Sequence, residues 1–398
     1  MIEIKENKNC CGCNACVQSC PKRCIAMRED REGFLYPSVD KTLCTDCGLC
    51  KKVCPVLNQH EFHKFSVAYA AKNKNEQVRA ESSSGGMFTL LAEQTIAQGG
   101  AVFGAKFNDK LEVVHDIAES VADLKAFRGS KYVQSRIGDT YRHAANFLRQ
   151  ERQVLFSGTP CQIAGLYAFL GKDDVNLLTC DVVCHGVPSP KVLAAYLSVM
   201  ESRHGAKVQR ISFRCKDCGW KRYSVALSFD NATEYRRIFA EDPFMIGFLR
   251  NTYLRPSCHS CRFSRLPRIA DITLGDFWGV GGYHPEWDDD KGLSLVLVQS
   301  EKGQKAIDVC RDCLVMHCAD LDVAIKSNPC ICGFVPPGKD RTVFFRDLNR
   351  TPFDKMMRKY MSPTPLWTVL AINLPKRIIR YGLRILKSQN KYISVLIP

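Results

Sequence analysis

Eight cysteines in the first 55 residues are arranged in two matching strings, CCGCNACVQSCP at 10–21 and CTDCGLCKKVCP at 44–55, each reading C-x2-C-x2-C-x3-C-P. Three thiolates at this spacing can hold three corners of an iron–sulfur cube from one tight loop. The fourth, pinned by its proline, reaches the other cube. The swap assigns Cys10, Cys13, Cys16 and Cys54 to one 4Fe–4S cluster, and Cys44, Cys47, Cys50 and Cys20 to a second. Zinc is the alternative, because C-x2-C pairs also build structural zinc sites, yet zinc does not call for two duplicated four-cysteine strings. Cys11 and Cys24 fall outside the spacing and are expected to be unligated. Paired clusters carry single electrons and transform no organic substrate themselves. A flavin further along the chain would turn those electrons into hydride chemistry.

Further chemistry-bearing residues follow. In VLFSGTPCQIAGL, residues 154–166, Cys161 stands where a strand-like run ends and a helix begins. Free N–H groups and the helix dipole favour a thiolate there, which leaves nucleophile, metal ligand and buried bystander open. A nucleophile would want a histidine, and His185 is available. Cys184 follows a second strand-like run, and Cys258 and Cys261 form another C-x2-C pair. AESSSGGMFTLLAEQ sets serines and glycines before a helix, as a pyrophosphate site or a plain capped helix would. FRGSKYVQS adds Gly129, Ser130 and Lys131. There is no G-x-G-x-x-G string, so an ordinary Rossmann fold is not supported. Asp276, Trp278 and His284 lie in an aromatic, acidic stretch that reads either as a pocket edge with an acid or as a solvated loop.

These residues need a scaffold. The chain has 398 residues, 45% hydrophobic and 24% charged, an ordinary globular balance with room for two or three units. It carries 22 cysteines and no apolar signal-like stretch at its start, which points to metal binding in the cytoplasm rather than disulfides. No run approaches the ~18 apolar residues of a membrane span. Two short strands around a charged turn are expected between the cysteine strings, then a linker near 56–65, then alternating strands and helices from about Phe65. The expected class is α+β: a dicluster module at 1–63, a mixed α/β flavin-binding domain at 64–336, and a basic helical extension at 337–398. From Lys339 onward the net charge is +10 of the total +15, so a nucleic-acid footprint over the whole surface is not expected. In the tail, Lys376, Arg380, Arg384, Lys387 and Lys391 oppose Leu374, Ile378, Ile379, Leu383, Ile385 and Leu386. Such a helix docks on the protein or lies at an anionic membrane surface. Cys180, Cys215, Cys218, Cys310, Cys313, Cys318, Cys330 and Cys332 are expected as core or surface thiols, with Cys310, Cys313 and Cys318 on one helix, a further metal site being the alternative.

SSSGG, GSKYVQS, FSGTPCQIAGL, DVVCHGVPSP, CHSCRF and ADITLGDFWG occur in this order over about residues 66–336. In this the chain resembles the coenzyme F420 hydrogenase/dehydrogenase beta-subunit family, with a ferredoxin-type module in front from about residue 8. The resemblance implies an FAD-binding iron–sulfur oxidoreductase. It implies that Ser84, Gly85, Gly86, Gly129, Ser130, Lys131 and Thr159 line the FAD site, and that Cys161, Cys184, Cys258 and Cys261 hold a third 4Fe–4S cluster. Cys215 and Cys218 depart from the family pattern. Electrons would come from reduced ferredoxin or a partner subunit and pass through FAD to coenzyme F420, another small molecule or a glycan intermediate of surface-polysaccharide assembly. The rivals are an electron-transfer subunit with no substrate of its own and a zinc-rich nucleic-acid binder.

Overall fold

The structure is a computed structural model that describes residues 1–59 and 67–363. The amphipathic helix expected at 374–391 lies outside the described residues.

In the N-terminal module each cysteine string turns in the same way. A left-handed residue, Asn14 or Gly48, follows the second cysteine and starts a one-turn helix, α1 (Ala15–Gln18) or α2 (Leu49–Lys52). That reversal wraps each loop around its own thiols. Between the strings, β1 (Ile25–Glu29) and β2 (Leu35–Val39) form the expected antiparallel hairpin. Its charged turn is closed by Asp30, whose carboxylate accepts from the N–H groups of Glu32 and Phe34.

The rest of the chain alternates as its apolar periodicity requires. In order come β3 (Val67–Asn73), α3 (Glu76–Glu81), α4 (Met87–Ala97), β4 (Ala101–Phe107), β5 (Val113–Ala118), α5 (Thr140–Arg149), β6 (Val154–Gly158), α6 (Pro160–Leu170), β7 (Leu177–Val182) and α7 (Pro190–His204). A separate antiparallel sheet follows, built from β8 (Val208–Cys215), β9 (Ser224–Phe229) and β10 (Glu234–Ile238), and then α8 (Pro243–Leu249). The strands β11 (Ile272–Asp276), β12 (Ser294–Val298) and β13 (Leu314–Ala319) return to the main sheet, whose order is β13-β3-β12-β11-β7-β6-β4-β5. Its centre, β11-β7-β6-β4, is parallel, and both flanks are antiparallel. Central runs such as VLF and SLVLV are buried throughout, as strands covered on both faces are. No helix among the described residues is long and apolar enough to cross a membrane.

Because β6 and β7 are parallel neighbours, the loops that leave their carboxyl ends emerge side by side. Cys161 follows β6 and Cys184 follows β7, so strand order joins two thiols that the sequence keeps apart. α6 is sharply started by a capping box between Thr159 and Gln162 with Pro160 in the first turn, and it stops at left-handed Gly171.

Two expectations change. Residues 341–348 and 353–360, expected in the basic extension, form helices whose Phe344, Met356 and Met357 are buried with Phe34, Phe244 and Tyr253. The extension therefore begins inside the core: its charges face outward and its aromatic residues inward. Cys310 caps the end of the helix Glu301–Val309, Cys313 lies in a short 3-10 turn, and Cys318 lies on the edge strand β13. The run LVMHCA pairs antiparallel with β3 along its whole length instead of prolonging that helix.

Gly165 sits mid-helix in α6, where a Cβ would lie 2.8 Å from Cys13 Cβ and 2.8 Å from Tyr141 Oη. An exposed helical glycine gains about 0.5–1 kcal/mol on replacement by alanine. Here overpacking reverses the sign, and Gly165→Ala should lower stability by about 1–3 kcal/mol, read from a denaturant midpoint. A stabilised variant would show that α6 does not press on the Cys13 loop.

Candidate metal centres

The N-terminal thiols group across the two strings. Burial pushes the Cys16 thiol up to about 12, with Cys10, Cys54 and Cys50 adding to it. Burial also raises Cys54, again with Cys10 and Cys50 close by. Cys54 thus faces Cys10 and Cys16, which belong to the other string. Cys20, Cys44, Cys47 and Cys50 share a small cavity, where Cys50 Sγ accepts from the N–H of Ile2 at 3.1 Å. Cys24 joins them, its Sγ 3.4 Å from Cys20 Sγ. The Tyr36 hydroxyl is buried without a partner and feels the Cys10 charge, an unused donor beside the first group.

A larger cavity of about 250 Å³ lies at the carboxyl edge of the parallel strands, and Cys161, Cys184, Cys258 and Cys261 all line it. Burial is the largest cause that raises Cys184, followed by Cys258, Cys161 and Cys261, so the four thiols face one another. Burial likewise pushes Cys258 up to about 12. Local donors reach the sulfurs: Val187 N–H lies 3.4 Å from Cys258 Sγ, Thr159 Oγ1 lies 3.2 Å from Cys161 Sγ, the Gly186 N–H serves Cys184 and Ser264 serves Cys261. Among the described residues no three His, Cys, Asp or Glu side chains close on one point that would hold a single ion. The thiols surround a space instead. Four sulfurs from three segments, with N–H and hydroxyl donors aimed at them, form a donor set that fits an iron–sulfur cluster.

Cys11, expected to be unligated, lies between Cys13 and Cys161 and forms part of the wall of the large cavity. The neighbouring wall is Arg255. Its guanidinium donates to Cys10 O at 2.9 Å, Leu35 O at 2.9 Å and Gln134 Oε1 at 2.8 Å, and the amide of Gln134 donates to Cys11 O at 3.0 Å. Arg255 is fully buried. It ties the N-terminal module to the core, as does Arg341 through its fork on Glu32. Cys330 lies near Cys261, and Cys180 is a buried thiol of β7. Cys215 is half-buried and Cys218 exposed.

The residues that the resemblance connects to FAD divide between two places. Ser84 donates to Leu293 O at 2.8 Å, and left-handed Gly86 opens α4. A Cβ on Gly85 would lie 2.4 Å from Ala71 O, so the approach of β3 alone demands that glycine. Ser130 joins this group because its N–H and hydroxyl both reach Ser83 Oγ, at 2.7 and 2.9 Å. Gly129 has a φ of +79° and open space where a Cβ would stand. Lys131 donates to Ala126 O and Arg128 O, and burial lowers it to about 7. Thr159 stands apart, on the wall of the cysteine cavity. The sequence had not singled out Ser83 or Arg214. Arg214 donates to Ser83 O at 3.1 Å, forms a fork with Asp276 at 2.9 and 3.1 Å, and lies over the rings of Tyr223 and Trp278. Its Nε is buried without a partner. An unused buried donor, serine hydroxyls and an open glycine fit the edge of a flavin nucleotide. His284 is on an exposed loop, stacked on Trp287 with Glu286 at 3.2 Å, in neither group.

Family profiles match most of the described chain. The 4Fe-4S dicluster domain covers residues 9–58. The N-terminal part of the coenzyme F420 hydrogenase/dehydrogenase beta subunit covers 68–140, and its C-terminal part covers 151–323. With the dicluster match, the zinc alternative for the two strings falls away. An uncharacterised protein of Methanocaldococcus jannaschii is 24% identical over 200 residues, 43% of this chain and 56% of the relative, so the chain spans just over half of that relative's length. A chain of the F420-reducing NiFe hydrogenase complex from Methanosarcina barkeri superposes with a TM-score of 0.46 and 17% identity, over 67% of this chain and 91% of that one.

Burial holds Cys16 and Cys258 at about 12 against an ordinary thiol value of 9.0. A raised thiol stabilises the folded metal-free chain fully below the ordinary value, and that contribution is lost as pH rises through the folded value. The urea midpoint of metal-free protein should therefore fall between about pH 9 and 12, while protein whose thiolates are already ligated should fall less. Parallel decline in the two forms would show that these thiols do not face a metal.

Proposed function

The chain belongs to the coenzyme F420 hydrogenase/dehydrogenase beta-subunit family, and on that premise we propose that it is a cytoplasmic iron–sulfur flavoprotein oxidoreductase. It would pass electrons between a reduced ferredoxin or partner subunit, its N-terminal 4Fe–4S pair, a core 4Fe–4S cluster and FAD. The organic partner at the flavin would be coenzyme F420, another small molecule or a glycan intermediate. The observation that carries this reading is the convergence of Cys161, Cys184, Cys258 and Cys261 on one cavity whose wall includes Cys11 of the N-terminal module. An electron relay needs its stations in contact through protein, and Cys11 touches a thiol of each.

Each chain segment then has a task. The N-terminal strings would hold two clusters, through Cys10, Cys13, Cys16 and Cys54 and through Cys20, Cys44, Cys47 and Cys50. The four core thiols would hold the third, with Thr159 and Val187 N–H donating to its sulfurs. Ser84, Gly85, Gly86, Gly129, Ser130 and Lys131, joined by Ser83 and Arg214, would line the nucleotide, and Thr159 would face it from the cysteine cavity. When bound, FAD supplies the step from one-electron to hydride chemistry. The membrane contact considered for the tail helix remains part of this proposal.

Anaerobic purification followed by iron, sulfide, zinc and flavin counts tests the proposal. About twelve irons and one FAD per chain are expected, four irons for each of three clusters. Cys161→Ala should lower iron by about four and leave the remaining clusters in place. About eight irons in the unaltered protein would remove the core cluster, and zinc without flavin would overturn the whole reading. Full cofactor content with no turnover of any small acceptor would favour a subunit that only transfers electrons.

A further inference from the structure

Arg255 poses a problem of charge. Its guanidinium is fully buried, and every partner named above is neutral: two backbone carbonyls and the amide of Gln134. Among the described residues no carboxylate pairs with it. Two aromatic faces flank it, Tyr36 at 4.3 Å and Phe34 at 5.5 Å from their ring centres. Carbonyls and rings satisfy hydrogen bonds and soften the charge, but they do not neutralise it, and a buried guanidinium without a counter-ion is costly. Asp30 and Glu32 of the same hairpin act on the Tyr36 ring that Arg255 covers, but neither pairs with Arg255, Glu32 being held by Arg341, and the other nearby groups that can carry negative charge are thiols. Arg255 holds the carbonyl of Cys10, a residue of the first thiol group, and its positive charge acts on both Cys161 and Cys258 of the core group. The loop glycine between these sites leaves no spare room: a Cβ on Gly12 would lie 2.9 Å from the Arg255 guanidinium.

We propose that Arg255 is the shared counter-ion of the first N-terminal cluster and the core cluster, and that it raises the reduction potential of both. The inference rests on the core-cluster reading above. An iron–sulfur cluster on four thiolates is anionic, and each electron it accepts adds negative charge. A fixed cation nearby therefore favours the reduced form, in the same way that net charge and hydrogen bonding set cluster potentials generally. Placed between two clusters, one guanidinium acts on both and holds the path between them level. The cluster of Cys20, Cys44, Cys47 and Cys50 lies beyond this contact and keeps its own potential. Arg255 is a positioning residue that acts through the clusters.

The test uses full-length, anaerobically loaded protein and two variants, Arg255→Met and Arg255→Lys, followed by a redox titration monitored by electron paramagnetic resonance, with iron and sulfide counted in each. Arg255→Met should move two of the three cluster signals to more negative potential and leave the third unchanged, while Arg255→Lys should keep all three near wild type. Where the methionine variant loses iron, Arg255→Gln, which keeps hydrogen-bond donors and removes the charge, takes its place and should show the same two negative shifts; unmoved potentials in a loaded Arg255→Gln protein overturn the proposal. Unmoved potentials in a fully loaded Arg255→Met protein overturn it. So does an equal shift, or equal iron loss, in the methionine and lysine variants, which would make Arg255 a structural peg. A wild-type protein with about eight irons would instead overturn the core-cluster reading, and this inference with it, before any variant is made.

Discussion

A thiol buried among other thiols cannot ionise until a compensating charge arrives, and the architecture is organised around that constraint. Burial and mutual proximity hold the thiols of Cys16, Cys184 and Cys258 in the neutral form in the metal-free chain. Only metal ions bring enough positive charge to release those protons, so ligation and the final packing of these segments are linked. The protein adds local help that lowers this cost without removing it: backbone N–H donors to Cys16, Cys54, Cys184, Cys258 and Cys261, a hydroxyl beside Cys161 and one buried guanidinium. Burial also lowers the local dielectric, so a charge placed at these sites is felt strongly by its neighbours.

Close packing places these sites against one another. α6 presents Cys161 at its first turn and Gly165 one turn later against the Cys13 loop, so a single rigid helix touches both the core thiol group and the N-terminal one. Parallel pairing of β6 with β7 brings Cys184 to the same edge. Arg255 and Gln134 then fasten the backbone of Cys10 and Cys11 to that edge. On the side of the Ser83 loop, Arg214 joins three elements through Ser83, Tyr132 and Asp276.

Local chemistry was legible in the sequence, and long-range convergence was not. The two cysteine strings, the hairpin between them, and the Thr159-capped start of α6 are short-range features that spacing and capping rules encode. Cys161 and Cys184 meet because of strand order, which no spacing records, and only the ordered motifs of the family resemblance linked them. Cys11 breaks the ferredoxin spacing, yet it sits within the Cys10–Cys16 loop on the side that faces Cys161. Arg255 and Arg214 carried no signal, since a charged residue on a strand or before a turn normally faces water. Gly85 resembled a phosphate-loop glycine, although contact with Ala71 would require a glycine there in any case. The aromatic residues of 341–361 were concealed by surrounding positive charge, which masked an inward-facing helical stripe.

The wall of the large cavity is formed by residues far apart in the chain: Asn9 and Cys11 on one side, Cys258 and Cys261 on the other. Ribosomal synthesis makes these in order. The eight cysteines of the two N-terminal strings have all emerged once Cys54 is made, so those sites can fill while translation continues. The core cavity has no second pair of thiols until Cys261 appears, and by then the segment that closes it has long been finished. The cavity wall is therefore completed only after the N-terminal module has been made, so a chain cut before Cys261 carries both cysteine strings and lacks the cavity.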